Sequence, residues 1–197
     1  MSSYDDHSQK KTGRIYFIVG PSGSGKDSLI SAFRERFSGE LVVAHRYITR
    51  PYDAGGENHI TLSDKEFSVR DSHNLFAMSW QANGLNYGIG QEVIHWMNNG
   101  LCVLVNGSRA YMSIARSRFG ERLIPVVVQV SSEILESRLV ARGREDRNAI
   151  ANRLKRAEEY RLGEDMAQYC IDNSGTIEES VEQFIRLRQS QEQRRHI

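Results

Sequence analysis

A glycine-rich segment near the N-terminus constrains the fold of this chain more than any other feature. Residues 20–26 read Gly-Pro-Ser-Gly-Ser-Gly-Lys and fit the pattern G-x-x-x-x-G-K. The segment follows a short β-branched and aromatic run, residues 15–19, and precedes a run in which Leu29, Phe33 and Phe37 have helical spacing. A strand, this loop and a helix in succession are the context in which the pattern binds phosphate.

The residue types of this phosphate loop (residues 20–26) explain how it would bind a nucleotide. Glycines let the backbone wrap so that N–H groups point at phosphate oxygens, and the following helix N-terminus adds positive partial charge. Lys26 supplies a point charge for the β- and γ-phosphates. A glycine-rich turn with a chance lysine is the alternative, but it does not explain the flanking strand and helix. The predicted nucleotide-binding residues are Gly20, Pro21, Ser22, Gly23, Ser24, Gly25, Lys26, Asp27 and Ser28.

Asp27 departs from the usual pattern, in which Ser or Thr follows the lysine and its hydroxyl binds Mg²⁺. A carboxylate can bind Mg²⁺ directly or through water, and beside a polyphosphate it needs a cation nearby. We therefore predict Asp27 as a metal ligand. The alternative is that Asp27 only stabilises the helix N-terminus, where an acid is favourable.

Short apolar runs alternate with longer amphipathic runs along the chain, which predicts an α/β fold with a mostly parallel central sheet. Strands are predicted at residues 15–19, 41–44, 101–105, 123–130 and 169–171, with helices between them. Residues 46–58 have no clear period and read as an irregular connection. Residues 75–80 and those around Tyr87 read as strands of a smaller, more polar insert.

The composition excludes a disordered chain, a collagen-like chain and a coiled coil. The 197 residues are 39% hydrophobic and 26% charged, as in a globular domain, and a net charge of +1 does not favour binding to nucleic acid or a membrane surface. Cys102 and Cys170 are too few for a disulfide framework and predict buried thiols in a reducing compartment. With no apolar run of the roughly 18 residues that span a membrane and a polar, flexible lead-in at residues 1–12, we predict a cytoplasmic protein.

Further segments carry a family resemblance. Residues 48–51 read Ile-Thr-Arg-Pro, residues 86–88 read Asn-Tyr-Gly, and residues 138–143 read Arg-Leu-Val-Ala-Arg-Gly. With the phosphate loop, they make the chain resemble guanylate kinases over about residues 14–187. Within that superfamily the chain is most similar to ribose 1,5-bisphosphate phosphokinases. The segments that carry this are residues 20–29, 44–50 (Ala-His-Arg-Tyr-Ile-Thr-Arg), 56–60 (Gly-Glu-Asn-His-Ile), 79–80 (Ser-Trp), 82–84 (Ala-Asn-Gly) and 105–109 (Val-Asn-Gly-Ser-Arg).

The resemblance implies a layout as well as a fold. The chain would be one guanylate kinase-like domain with the three-layer α/β fold of P-loop nucleotide-binding enzymes. Its core would be residues 13–45 and 100–187, its acceptor-binding insert about residues 46–90, and its helical lid about residues 138–156.

The guanine-reading residues of guanylate kinases are missing at the matching positions. Arg46 and Ser79 stand where that family has a serine and a glutamate, and residues 105–106, Val-Asn, replace a strand-end aspartate. A second phosphate-binding arginine is also missing, whereas Arg50 and Tyr87 remain. A site that loses its hydrogen-bond acceptors does not keep its specificity for guanine. The acceptor is therefore expected to be phosphorylated without being a guanine nucleotide.

Arginines and small polar residues in the same segments could bind the acceptor in place of the missing guanine-binding residues. Guanidinium groups bind phosphate bidentately, and two arginine clusters would fit a bisphosphate. The alternative for Arg46 and Arg50 is a solvated surface loop, and for Asn58 and His59 it is ordinary loop hydrogen bonding. Arg109 could instead cap the helix after Ser108. The predicted substrate-binding residues are Arg46, Arg50, Asn58, His59, Tyr87, Asn106 and Arg109.

A cluster of arginines makes residues 138–156 locally basic. Arg138 and Arg142 are four residues apart and share one helical face, and Arg153 matches a third lid position of the family. Lid arginines would neutralise charge on the phosphoryl group in transfer. The predicted catalytic residues are Lys26, Arg138, Arg142 and Arg153. By resemblance, Asn173 would contact adenine, with a simple turn as the alternative.

The resemblance implies a kinase that uses ATP and Mg²⁺ to phosphorylate ribose 1,5-bisphosphate at its 1-phosphate, giving 5-phosphoribosyl 1-diphosphate and ADP within phosphonate breakdown. The expected partner is this small molecule, with no nucleic acid or membrane, and the chain would be a monomer or homodimer. Three alternatives remain: a guanylate or other nucleoside monophosphate kinase, a kinase of a sugar hydroxyl such as gluconate, and a non-catalytic interaction module.

Overall fold

The structure, a computed structural model, describes residues 13–52, 59–143, 146–159 and 164–194. These residues contain nine strands and seven α-helices. The strands are β1 (Ile15–Val19), β2 (Leu41–Val43), β3 (Arg46–Ile48), β4 (Ile60–Thr61), β5 (Phe76–Ala82), β6 (Leu85–Gly90), β7 (Cys102–Asn106), β8 (Leu123–Gln129) and β9 (Cys170–Asp172). The helices are α1 (Lys26–Arg36), α2 (Asp64–Ser72), α3 (Glu92–Asn98), α4 (Met112–Phe119), α5 (Ser132–Arg142), α6 (Arg147–Glu159) and α7 (Ile177–Gln193). Among these residues, no helix combines the length and the apolar character needed to cross a membrane.

The central sheet has the strand order β2-β7-β1-β8-β9, and each neighbouring pair is parallel. This confirms the predicted α/β fold with a mostly parallel central sheet. Because β1 is the middle strand, the phosphate loop that follows it lies at the carboxyl edge, between the ends of β7 and β8. Ligands of open parallel sheets bind at that edge.

Both faces of β1 are buried, so the start of the phosphate loop rests on a fully packed strand. Ile15, Phe17 and Val19 face one hydrophobic cluster, which includes residues of α3 and α4. Tyr16 and Ile18 face the other cluster, which includes residues of α1 and α7. The alternation follows from the two-residue period of a strand.

A second sheet has the order β4-β3-β6-β5 and combines the two predicted insert strands with two short ones. The prediction of an irregular connection over residues 46–58 was wrong at its start, because Arg46–Ile48 forms β3. β3 pairs antiparallel with β6, and Ile48 lies opposite Tyr87. A three-residue strand shows no readable period, so only this long-range pairing defines it.

The predicted flexible residues 1–12 lie outside the described part of the chain.

The two cysteines are free thiols, but they are half-buried rather than fully buried as predicted. Cys102 is the first residue of β7 and Cys170 the first residue of β9, where strand ends approach the surface. Burial nevertheless raises the pKa of the Cys170 thiol. Neither thiol forms a disulfide, as expected from their number.

Tyr16 lies in an aromatic cluster with Phe33, Phe37 and Phe184. Its ring meets Phe184 edge-on with 5.1 Å between centroids. The Arg188 guanidinium lies 4.6 Å from the Phe37 ring centroid and pairs with Glu40 at 2.9 Å. Burial among these groups raises the pKa of Tyr16 to about 12.

Replacing Tyr16 with Phe is expected to reduce the loss of stability in alkaline solution. The folded pKa exceeds the ordinary value of 10.0, so Tyr16 stabilises the fold fully below about pH 10 and loses this contribution as the pH rises toward 12. Between pH 8 and pH 11 the wild type should lose about 1.4 kcal/mol more unfolding free energy than Tyr16→Phe. Urea titrations at both pH values measure this. Tyr52→Phe, at a tyrosine that is 83% exposed, is the control and should behave as the wild type; equal losses in Tyr16→Phe and wild type would contradict the prediction.

Candidate active site

The phosphate loop joins β1 to α1 through glycines in a conformation that other residues rarely adopt. Gly23 and Gly25 have φ values of +93° and +86°. Gly25 is also the N-cap residue of α1, and no described side chain caps this helix end. The N–H groups of the first helical turn are therefore oriented to receive an anion, as the motif predicted.

Lys26 arches over the phosphate loop from the first position of α1. Its Nζ donates to the carbonyl oxygen of Gly20 at 2.7 Å and to that of Pro21 at 2.8 Å. These bonds hold the ammonium group across the mouth of the loop. A polyphosphate seated on the loop would meet this charge directly.

Asn173, which the resemblance predicts as an adenine contact, supports the phosphate loop from behind. Its side chain is 1% exposed. Nδ2 donates to the carbonyl oxygen of Ser24 at 2.7 Å, and Oδ1 accepts from Ser180 Oγ at 3.0 Å. Both ends of the amide are thus bonded inside the fold, so this side chain positions the loop.

Two of the arginines predicted to belong to a lid reach the phosphate loop from different helices. Arg138 on α5 donates to the carbonyl oxygens of Ser24 at 3.4 Å and Asn173 at 2.9 Å. Arg153 on α6 donates to Ser22 Oγ at 2.6 Å. The two arginines lie 114 and 131 positions after the loop residues that they contact, so distant parts of the chain converge on one seven-residue loop.

The helices that carry these arginines form a hydrophobic hairpin. Leu135, Leu139 and Ile150 make a buried cluster between α5 and α6. Gly143 is the C-cap residue of α5 and adopts the left-handed conformation, with φ of +61°. The third predicted lid residue, Arg142, is the last residue of α5, and its side chain lies outside the described residues.

Asp27 contacts the end of the neighbouring strand. Asn106 is the last residue of β7 and is 6% exposed. Its Nδ2 donates to Asp27 Oδ1 at 3.2 Å. The sequence placed these two residues in different roles, metal ligand and acceptor contact, and the structure brings them together.

A cleft of about 1080 Å³ opens beside the phosphate loop. Its lining comes from the loop and the start of α1, from the second sheet, from the segment after β7, and from α6. The lining residues outside the loop and α1 are Arg46, Trp80, Gln81, Ala82, Asn83, Tyr87, Asn106, Gly107, Ser108, Arg109, Ala110, Ala149, Asn152, Arg153 and Ala157.

An aromatic stack holds Arg46 in the cleft wall. The Arg46 guanidinium lies 5.2 Å from the Tyr87 ring centroid. Tyr87 stacks on Trp80 with 5.6 Å between centroids, and Trp80 stacks on Tyr111 at 5.4 Å. Trp80 therefore packs between two aromatic rings and also lines the cleft. Cation–π contact fixes the direction of the guanidinium, which favours a preformed anion site.

The predicted acceptor residues divide into two groups. Four of them, Arg46, Tyr87, Asn106 and Arg109, line the cleft.

Arg50 and His59 instead contact each other. Arg50 Nη2 lies 3.2 Å from His59 Nδ1, and His59 Nε2 lies 3.2 Å from the Arg50 carbonyl oxygen. Neither is part of the cleft lining as the structure describes it. Asn58, the remaining predicted acceptor residue, falls outside the described residues.

Four polar residues of the lining, Gln81, Asn83, Ser108 and Asn152, were not among the substrate-binding residues predicted above. Gln81 continues β5 directly after the Ser-Trp segment, and Asn152 directly precedes Arg153. Proximity to a matched residue was therefore the available signal. It is a weak one, because sequence neighbours on a strand point to opposite faces.

The cleft is strongly cationic although the chain as a whole is balanced. Lys26, Arg46, Arg109 and Arg153 all line it. Asp27 is the one carboxylate among the described residues of the lining. A wall of this kind attracts polyanionic ligands such as polyphosphates and sugar phosphates.

Comparison with known proteins identifies close relatives. Ribose 1,5-bisphosphate phosphokinase PhnN of Enterobacter lignolyticus is 51% identical over 178 residues, covering 89% of this chain and 92% of that protein. The protein of the same name from Klebsiella pneumoniae is 49% identical over 178 residues, with coverage of 90% and 94%. The one from Desulfomicrobium baculatum is 51% identical over 168 residues, with coverage of 84% and 89%. No protein-family model matches the chain.

A solved structure supports the fold independently. Guanylate kinase from Anaplasma phagocytophilum superposes with a TM-score of 0.65 at 18% identity, covering 92% of this chain and 88% of that one. At this identity the likeness concerns the fold alone, and it confirms the guanylate kinase-like architecture. The sequence identity of about one half to the three relatives, along nearly their whole length, is far more specific. It shows that this chain belongs to the ribose 1,5-bisphosphate phosphokinase family.

Proposed function

We propose that the chain transfers the γ-phosphoryl group of ATP to the 1-phosphate of ribose 1,5-bisphosphate, giving 5-phosphoribosyl 1-diphosphate and ADP. The observation that carries the proposal is the identity of about one half to relatives bearing this name over about nine tenths of the chain. The cleft adds a physical reason, since a complete phosphate loop and an arginine-bearing wall open into one cavity.

The donor side is built by the phosphate loop and α1. The loop N–H groups and Lys26 would bind the β- and γ-phosphates of ATP. Asp27 and Ser28 offer carboxylate and hydroxyl oxygens at the cleft, a donor set that fits a hard cation such as Mg²⁺. When bound, Mg²⁺ neutralises charge on the β- and γ-phosphate oxygens and orients them.

The acceptor side is proposed to lie in residues 46–90 together with the segment after β7. Arg46 is held on the Tyr87 ring, and Arg109 follows the end of β7. Both guanidinium groups line the cleft, and we propose that they bind the two phosphates of the sugar. Asn83 and Asn106 offer amides to the ribose hydroxyls.

Transfer needs little more than positioning and charge neutralisation. An oxygen of the 1-phosphate forms a bond to the γ-phosphorus as the bond from that phosphorus to the β–γ bridging oxygen breaks, and ADP leaves with the electron pair. The attacking phosphate is already ionised at pH 7, so no general base is needed. Arg153 lines the cleft beside the loop, where it is proposed to neutralise the oxygens of the group in transfer. Arg138, which donates to the Ser24 carbonyl oxygen, and Arg142 are proposed to assist.

The proposal extends to the setting of the reaction. The chain acts on a small molecule, within phosphonate breakdown, as a monomer or homodimer. Consumption of ATP and a sugar phosphate fits the cytoplasmic location that the unpaired cysteines predict.

A panel of acceptors tests the proposal. ADP release with ATP and Mg²⁺ is measured for ribose 1,5-bisphosphate, ribose 5-phosphate, GMP, AMP and gluconate, and phosphorus NMR identifies the product. We expect turnover with the bisphosphate to exceed that with each other acceptor at least a hundredfold, and the product to show a diphosphate signal. Preferred turnover of GMP, AMP or gluconate would instead support the corresponding kinase. ATP binding without turnover of any acceptor would support a non-catalytic module.

A further inference from the structure

Asp27 on α1 and Asn106 at the end of β7 carry residue types that are exchanged relative to other P-loop enzymes. In P-loop enzymes a Ser or Thr hydroxyl directly after the loop lysine and an Asp at the end of a neighbouring strand hold Mg²⁺. Here the carboxylate stands directly after the lysine, on α1, and a neutral amide ends the neighbouring strand β7. Each position departs from the usual residue, but the pair still contains one carboxylate and one neutral oxygen donor.

The side chains of Asp27 and Asn106 are in contact, so the two exchanged residues can act on the same ligand. β7 is hydrogen-bonded to β1 with Asn106 opposite Ile18, two residues before the phosphate loop. Asn106 Nδ2 donates to Asp27 Oδ1 at 3.2 Å. That bond engages the amide nitrogen and one carboxylate oxygen, so it does not involve the Asn106 carbonyl oxygen or Asp27 Oδ2.

Charge in the cleft gives the exchange a consequence. Asp27 is the one carboxylate among the described lining residues, beside Lys26 and several arginines. Mg²⁺ is usually bound by one or two carboxylates together with substrate phosphates and water. A neutral residue at position 27 would therefore leave a cation with no charged protein ligand in the described lining.

We propose that Asp27 and Asn106 form one exchanged Mg²⁺-binding unit, in which Asp27 supplies the charge and Asn106 orients it. The inference rests on the proposed use of ATP, but not on the identity of the acceptor. It predicts that a carboxylate is needed in this pair and that either position can carry it.

The test transfers the carboxylate back to the strand. Mn²⁺ binding in the presence of ADP is titrated by electron paramagnetic resonance for the wild type, Asp27→Ser and the double variant Asp27→Ser/Asn106→Asp. We expect Asp27→Ser to raise the Kd of Mn²⁺ at least tenfold and the double variant to return it to within about threefold of the wild type. Wild-type affinity in Asp27→Ser, or a double variant as weak as the single one, would overturn the proposal.

Metal-free binding separates a metal ligand from a structural residue. In EDTA, ADP should bind Asp27→Ser at least as tightly as the wild type, because a negative charge beside the phosphates has been removed. Weaker metal-free binding would show that Asp27 acts by shaping the loop, and would overturn the inference. Should the double variant not fold, the isosteric Asp27→Asn decides the question, because it too must weaken Mn²⁺ binding at least tenfold. None of these readouts involves the sugar, so they fail independently of the acceptor panel.

Discussion

Replacing Lys26 with Met is expected to lower kcat by roughly 10²–10³-fold, which is what loss of one group aimed at a developing charge typically costs. Nζ lies across the loop mouth, 2.7 Å from the Gly20 carbonyl oxygen and 2.8 Å from that of Pro21. The proposed chemistry uses no general base, so charge neutralisation carries a large share of the rate. We therefore expect this variant to lose more activity than any single substitution on the acceptor side.

The comparison needs a control that removes a lysine without touching the loop. Lys155 is exposed on α6, two residues after Arg153, so Lys155→Met removes one positive charge from α6. Steady-state kinetics with ATP and ribose 1,5-bisphosphate should show near-normal kcat for Lys155→Met. Thermal unfolding of both variants checks that the fold is kept. Near-normal turnover in Lys26→Met would contradict the assigned role of the lysine.

The phosphate loop and the central sheet could be predicted from the sequence because their signals are local. The loop has fixed spacing, and buried parallel strands appear as continuous apolar runs. Ser63 and Thr176 illustrate the same point for helix starts. Residues 63–66, Ser-Asp-Lys-Glu, and 176–179, Thr-Ile-Glu-Glu, are capping patterns that can be read from the sequence. Ser63 and Thr176 each accept a hydrogen bond from the backbone N–H three residues later, and at Thr176 the pairing is reciprocal.

Contacts between distant segments could not be predicted in the same way. β3 exists because it pairs with β6, about forty residues later. Asn173 turned inward because Ser24 and Ser180, 149 and 7 residues away, bond both ends of its amide. A family resemblance identified Asn173 as a candidate binding residue. Only the tertiary structure shows the two hydrogen bonds that its side chain forms within the protein.

Replacing Gly25 with Ala is the second change for which we expect a large effect, at least a tenfold rise in the Kd of ATP·Mg²⁺. Two independent obstacles oppose a side chain here. Its φ of +86° costs a non-glycine residue about 1–2 kcal/mol. In addition, a Cβ would lie 2.4 Å from Asn173 Nδ2, closer than atoms can approach.

The clash cannot be relieved without moving the phosphate loop. Asn173 Nδ2 is bonded to the Ser24 carbonyl oxygen at 2.7 Å, and its Oδ1 is held by Ser180. Arg138 also donates to the carbonyl oxygens of Ser24 and Asn173. A shift of the amide would therefore break the bond that supports residue 24 and misalign the N–H groups that receive phosphate.

Gly39→Ala separates the two obstacles, because Gly39 has nearly the same backbone angle, φ of +89°, with no atom within 4 Å of the added Cβ. Strain alone should cost Gly39→Ala about 1–2 kcal/mol of unfolding free energy and leave ATP affinity unchanged. Gly25→Ala should show a similar or larger loss of stability together with the loss of affinity. Calorimetric titration with ATP·Mg²⁺ and urea unfolding of both variants measure the two effects. Unchanged ATP affinity in Gly25→Ala would mean that the loop tolerates displacement of Asn173, and that the network behind it does not position the phosphates.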